Sequence, residues 1–177
     1  MGISGLPRAF KWHPEKWGDL KMADIQFTTG DIFAADVEAL VNPVNCVGVM
    51  GAGLALEFKK RFPGNFDAYY IRHLSKGIHP GMTYCFKTGT LKNPVFIINF
   101  PTKRHWSDKS RMEDIESGLM VLIVCIKEFD IRSIAIPALG CGLGGLNWAN
   151  VRPRIVDALS GIYDLRVIIF EPLNDGP

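Results

Sequence analysis

Four glycines fall within six residues, 140 to 145, directly behind the apolar run 134–138 and just ahead of a helical pattern that begins near Asn147. This succession of strand, glycine loop and helix constrains the chain more than any other feature. Glycine admits positive φ and close backbone approach, and the free N–H groups at a helix start attract anions. Such a loop is either a phosphate cradle or a tight chain reversal, and alone it does not separate the two. What decides is whether other strand ends converge on the same ligand.

From Ile25 onward the pattern alternates strands and helices. Strands are expected at 25–29, 39–42, 83–87, 95–100, 133–138 and 165–170. Helices are expected at 51–62, ended by Pro63, at 66–74, at 111–129 and at 149–162. The longest, 111–129, carries Met112, Ile115, Leu119, Ile123, Ile126 and Phe129 on one stripe. Pro153 falls in the first turn of the last helix, where its missing N–H does little harm. Apolar strands alternating with helices predict an α/β fold: a three-layer α/β/α sandwich around a mixed, mostly parallel sheet. With 177 residues, the chain suits one domain with a substantial core. Residues 1–21 lack either period and read as an extension, native or added, with the domain at 22–172 and a tail at 173–177.

Composition excludes some functions. A net charge of +2 is too small to imply bulk nucleic-acid binding. No run reaches membrane-spanning length and no leader pattern opens the chain, so the expected location is the cytoplasm, without membrane association. The four cysteines, Cys46, Cys85, Cys125 and Cys141, form no Cys-x-x-Cys pair and are expected as buried free thiols. Neither they nor the four histidines have metal-ligand spacing, so no metal site is expected. Cys141 has no base beside it in sequence, which argues against a nucleophilic thiol.

In mostly parallel sheets, ligands bind at the carboxyl ends of the strands. Four such ends are polar or glycine-rich here. Asp31 follows the first strand and either accepts from an exocyclic amine or caps a turn. Asn42-Pro43-Val44-Asn45 closes the second and runs into another glycine loop, 46–53, that opens a helix. Two such loops at neighbouring strand ends suggest the walls of one diphosphate cleft, with an asparagine able to bind a ribose hydroxyl. Lys103-Arg104-His105-Trp106 follows the fourth strand. This stretch is either a solvated basic loop or a lysine amine activated by the neighbouring Arg104, with Trp106 free to stack on a base.

The stretches 30–33, 41–45, 48–55 and 137–146 together resemble the macrodomains, ADP-ribose-binding α/β/α sandwiches, over nearly all of 25–172. Within them, residues 99–106, 110–116 and 140–146 are similar to the DarG type, the antitoxin of the DarT/DarG toxin–antitoxin system. The resemblance implies a DNA ADP-ribosyl glycohydrolase that removes ADP-ribose from thymidine bases in single-stranded DNA. It further implies ADP-ribose as substrate moiety or product with no cofactor, and a DarT-type toxin as partner through a further C-terminal domain. It assigns Lys103 as the catalytic lysine. Asp31 and Ile32 would read adenine. Asn45, Gly51, Gly53 and Leu54 would hold the distal ribose and a phosphate, and Val44, Met50 and Thr102 would also bind ADP-ribose. Leu139, Gly140, Cys141, Gly142, Leu143, Gly144 and Gly145 would wrap the diphosphate. Arg104, His105 and Trp106 are candidates for contacting DNA. A more distant human glycohydrolase of this branch carries a catalytic aspartate after Gly-Cys-Gly-Leu, where this chain has Gly144, so no lysine–aspartate pair carries over. An ADP-ribose reader without activity, or a hydrolase of ADP-ribosylated protein or of ADP-ribose 1″-phosphate, are the alternatives.

Overall fold

The computed structural model describes residues 21–173. The expected extension and tail fall outside this span, apart from Lys21 and Leu173. Asp164 N donates to the Lys21 carbonyl at 2.8 Å, which anchors the start of the described chain beside the last strand.

The chain runs β1 (Asp24–Thr28), β2 (Ala39–Asn45), α1 (Gly53–Arg61), α2 (Pro63–Lys76), β3 (Tyr84–Lys87), β4 (Phe96–Lys103), α3 (Met112–Glu128), β5 (Ser133–Pro137), α4 (Trp148–Leu159) and β6 (Arg166–Phe170). One 3-10 turn, Ile32–Ala34, follows β1. The six strands form one sheet in the order β1-β6-β5-β2-β4-β3. Only the β3–β4 pair is antiparallel.

Alternation along the strands builds two separate cores, as a sheet buried on both faces requires. Ile98, Phe100, Ile134, Ile136, Val167 and Ile169 pack with Leu119 and Leu122 of α3 and Val151 and Ile155 of α4. Their neighbours Leu40, Ile97 and Ala135 face the other way and pack with Phe58 of α1. Val44, Met50 and Tyr69 of α2 extend that second face. The expected three-layer α/β/α sandwich is therefore what forms.

The sheet splits at its carboxyl end, and two prolines mark the split. β5 pairs with β2 only at Ala39 and Leu40. Beyond Leu40, β2 keeps one ladder partner, β4, and Pro43 falls in this stretch. β3 likewise leaves β4 after Asn99, and Pro101 falls just beyond. Proline lacks the N–H a second ladder would need, so it is tolerated where a strand has an open side. Both strands consequently run further than sequence reading expects: β2 to Asn45 and β4 to Lys103. Lys103 closes a strand instead of lying in the loop behind it. A bulge is centred there, because Val44 pairs with Pro101 but Asn45 pairs with Lys103. Thr102 is the extra residue, and such bulges re-aim the side chains around them.

Under the cleft floor, Asn42, Asn65 and Asn99 form a buried amide cluster. Asn42 Nδ2 donates to Asn99 Oδ1 at 2.9 Å, and Asn99 Nδ2 to Asn65 Oδ1 at 2.7 Å. This ties α2 to β2 and β4 behind the site. The cysteines are free thiols as expected, but only Cys125 is buried and the other three are half-buried. They lie on the strand-end loops and on β3, where solvent reaches. No helix among the described residues is long and apolar enough to cross a membrane.

Candidate functional site

At the split between β2 and β5 the sheet opens into a cleft of about 1080 Å³. That is ample for a nucleotide-sized ligand. Its walls come from the carboxyl ends of the strands.

The first wall is the loop 46–52, shaped by one side chain. Asn45 Oδ1 accepts from Val47 N at 3.0 Å and Val49 N at 3.3 Å, and its Nδ2 donates to the Val49 carbonyl at 2.5 Å. Tyr69 OH donates to the Asn45 carbonyl from α2. Burial raises the Tyr69 phenol well above its usual range, so it stays a donor. The Asn45 amide thus braces the loop that leads into α1, and its amide atoms are already engaged by backbone. Met50 is buried under this loop and does not line the cleft, whereas Val44, Gly51, Gly53 and Leu54 do.

The second wall is the glycine loop. Its turns are backbone bonds: Cys141 N to the Ala138 carbonyl, Gly145 N to Gly142, and Leu146 N to Gly140, all at 3.0–3.1 Å. Gly140 holds φ +73°, which favours glycine. Gly144 is glycine for a different reason, namely space. A Cβ there would lie 2.2 Å from Ser110 Oγ and 2.3 Å from the Gly140 carbonyl oxygen. The position that would correspond to an acidic partner therefore has no room for any side chain. Gly140, Cys141, Gly142, Leu143 and Gly144 line the cleft; Leu139 is fully buried and Gly145 lies outside the lining. Leu143 is exposed and reaches toward Gly53 of the opposite wall, where a Cβ would meet its Cδ1 at 3.6 Å.

Lys103 links β4 to this second wall. Its Nζ donates to the Leu143 carbonyl at 2.7 Å and to the Trp106 carbonyl at 3.3 Å. No carboxylate among the described residues lies in ion-pair range of it. Partial burial lowers its pKa from the usual lysine value, the Lys109 ammonium lowers it further, and Asp108 opposes them. The neighbouring cation that lowers the Lys103 pKa is thus Lys109, and Arg104, expected from sequence adjacency, does not act in that role. Arg104 is engaged elsewhere: its Nε and NH2 reach Asp114 Oδ2 and Oδ1 at 3.1 and 3.0 Å. Asp114 is buried in the first turn of α3, so the pair nails the end of β4 to that helix. Arg104 and His105 do not line the cleft, while Thr102, Lys103 and Trp106 do.

Of the two roles that sequence left open for Asp31, the structure shows the turn cap. Its Oδ1 accepts from Phe33 N at 3.0 Å and caps the 3-10 turn, and the residue lines the cleft beside Ile32. Arg61 approaches its other oxygen at 3.6 Å. Burial and nearby Asp114 push the Cys46 thiol up to about 11, which disfavours its thiolate.

Sequence reading missed one wall. Phe170, Glu171, Pro172 and Leu173 line the cleft beyond β6. Glu171 is fixed there by Trp148 Nε1 at 3.2 Å and Arg152 Nε at 3.4 Å. The signal was available, because β6 is another parallel strand whose carboxyl end faces the ligand side, but Pro172 reads as the start of a tail.

This geometry has counterparts in known proteins. The Macro domain family model matches residues 41–155. A DNA ADP-ribosyl glycohydrolase of Thermus aquaticus is 45% identical over 152 residues, covering 85% of this chain and 42% of the relative. The chain thus spans less than half the length of that curated relative. The solved macrodomain of Mycobacterium tuberculosis DarG is 45% identical with a TM-score of 0.83, covering 85% of this chain and 99% of that one. Thermosipho africanus DarTG, solved in complex with ADP-ribose, is 36% identical with a TM-score of 0.78, covering 87% of this chain and 43% of that one. A split, mostly parallel sheet with two glycine walls, matched over well above half of the chain by one family model and over most of it by DarG relatives, leaves a single assignment: the chain belongs to the macro domain family, in its DarG branch.

Proposed function

We propose that this chain cleaves the N-glycosidic bond between ADP-ribose and a thymine base in single-stranded DNA, undoing the modification made by a DarT-type toxin. The observation that carries the reading is the Lys103 amine, held on the Leu143 carbonyl at the wall that would wrap the diphosphate, without a carboxylate partner among the described residues. The names of the similar proteins supply the bond class.

The two glycine walls orient the distal ribose by its diphosphate, which is the proximity part of catalysis. Neutral Lys103 attacks the anomeric carbon. The carbon–nitrogen bond to thymine breaks, and the base leaves with that electron pair and a proton. The ribosyl amine opens to an iminium, water adds to it, and expulsion of the amine frees ADP-ribose and restores Lys103. The sequence draws on an amine and water alone. DNA as substrate and four free thiols both fit the cytoplasm. A toxin partner would be engaged through the part of the relatives' length that this chain does not span.

Lys103→Ala should abolish base release, by about a thousandfold or more, while ADP-ribose binding measured by calorimetry survives. Borohydride should trap a covalent adduct on Lys103 in the wild type. Normal turnover by the variant would overturn the lysine mechanism. Tight ADP-ribose binding by the wild type without turnover of DNA, protein or phosphate substrates would make the chain a reader.

A further inference from the structure

Trp106 stands at the rim of the cleft, 59% exposed, three residues past Lys103. The backbone of Trp106 is tied to the amine, because its carbonyl accepts from Lys103 Nζ. The ring is also backed: His105 lies 5.0 Å away, centroid to centroid, tilted by 39°. His105 is itself held, with Nδ1 at 2.7 Å from Ser107 Oγ and its N donating to Asp108 Oδ2 at 3.2 Å. This is a braced platform at the mouth of the site.

Charge around the platform selects its occupant. Residues 103–111 carry four Lys or Arg against one carboxylate, Asp108. Arg104 is neutralised by Asp114. Lys109 has no carboxylate partner among the described residues, and Arg111 has only Glu113 at 3.9 Å. Lys109 Nζ lies close over the glycine loop, 3.1 Å from where a Cβ of Gly145 would be. An aromatic face on a loop that also carries Lys109 and the exposed Arg111 suits a base with its attached phosphodiester.

The modified thymine must lie within bonding distance of the anomeric carbon, beside Lys103. The rim position of Trp106 is one step outward. We infer that Trp106, backed by His105, is a nucleobase platform that stacks the base of the nucleotide neighbouring the modified thymidine. It thereby selects single-stranded substrate, because a base paired in a duplex cannot swing onto it. This rests on the DNA reading of the active site above.

Three substrates test it: an ADP-ribosylated oligonucleotide, the same oligonucleotide with abasic neighbours on both sides of the modified thymidine, and ADP-ribosylated thymidine nucleoside. Trp106→Ala should lower the ratio of oligonucleotide to nucleoside kcat/KM by about tenfold to a hundredfold, the range of one base–aromatic stack. Wild type should lose the same factor on the abasic oligonucleotide, where the variant loses no more. Trp106→Phe should keep most of the ratio. ADP-ribose affinity checks that the cleft is intact. An unchanged ratio overturns the platform, and so does full sensitivity of the variant to the abasic neighbours. If wild type releases no base from any of the three, the DNA reading has failed, and the platform with it; release from all three with an unchanged ratio sinks the platform alone.

Discussion

The two glycine walls of the cleft resemble one another in sequence but are held in opposite ways. The loop 46–52 is braced from within, by the Asn45 amide reaching its backbone and by Tyr69 from α2 beneath. The loop 139–146 is laced to another segment. Lys103 Nζ takes the Leu143 carbonyl, Ser110 N takes the Gly144 carbonyl at 3.0 Å, and Lys109 lies over Gly145. The first wall is a fixed surface for binding. On the proposed function, the second couples the ligand's diphosphate to the amine, so disturbance there should reach chemistry as well as affinity.

The sharpest way to break this asymmetry is Gly144→Ala. The added methyl meets the Gly140 carbonyl at 2.3 Å, and backbone cannot swing aside as a side chain would. Overpacking of this sort costs about 1–3 kcal/mol, and here it falls on the loop that carries Leu143. ADP-ribose affinity should fall about a hundredfold, with kcat falling too. Calorimetry and single-turnover rates separate the two losses. An affinity loss with kcat intact would mean that the two walls behave alike.

Asn45→Ala attacks the other wall. It removes three hydrogen bonds to the loop, together about 2 kcal/mol at typical net values. The dissociation constant for ADP-ribose should rise about thirtyfold, while kcat at saturation stays within about twofold. A matching drop in kcat would show that the first wall also positions the reacting carbon.

The fold was legible in sequence because the strands and helices have clean periods, and the boundary at Pro63 between α1 and α2 follows from proline chemistry. The extension of β4 to Lys103 was hidden, since proline ordinarily ends a ladder and nothing local reveals that β3 departs after Asn99. The two glycine loops and Lys103 were found because composition at a strand end is a local signal. Arg104 misled for a geometric reason: consecutive residues along an extended chain point to opposite faces. Adjacency to Lys103 therefore sends the guanidinium away to Asp114. Lys109, six positions on, returns to the site only through the loop's three-dimensional course.

That reassignment yields a further test. Asp114→Asn removes the charge that anchors Arg104, and with it the tie between the end of β4 and α3. Small misplacements of a catalytic group are costly, so kcat should fall about tenfold. ADP-ribose affinity, set by the glycine walls, should hold. Arg104→Lys, which keeps charge but loses the fork, should behave similarly. If Arg104 instead bound DNA, its own variant would weaken oligonucleotide binding and Asp114→Asn would not.

The smallest effect is also the most specific to the second wall. On the lysine mechanism proposed above, base release needs Lys103 neutral, so log kcat should rise with pH through its pKa, and burial together with Lys109 places that limb below the usual lysine range. Lys109→Met removes one lowering influence; the pKa rises and the limb moves to higher pH. Asp108→Asn removes the opposing influence, so its limb moves to lower pH. Lys109→Arg keeps the charge and should leave the limb in place. Turnover alone does not identify the titrating group, so the shift should also be read directly, from the pH midpoint of Lys103 reductive methylation followed by mass spectrometry. Opposite displacements from Lys109→Met and Asp108→Asn, present in both readouts, would tie the pH dependence to this amine on this loop. A limb that ignores both variants would locate the titration elsewhere and remove the link between the glycine loop and the chemistry.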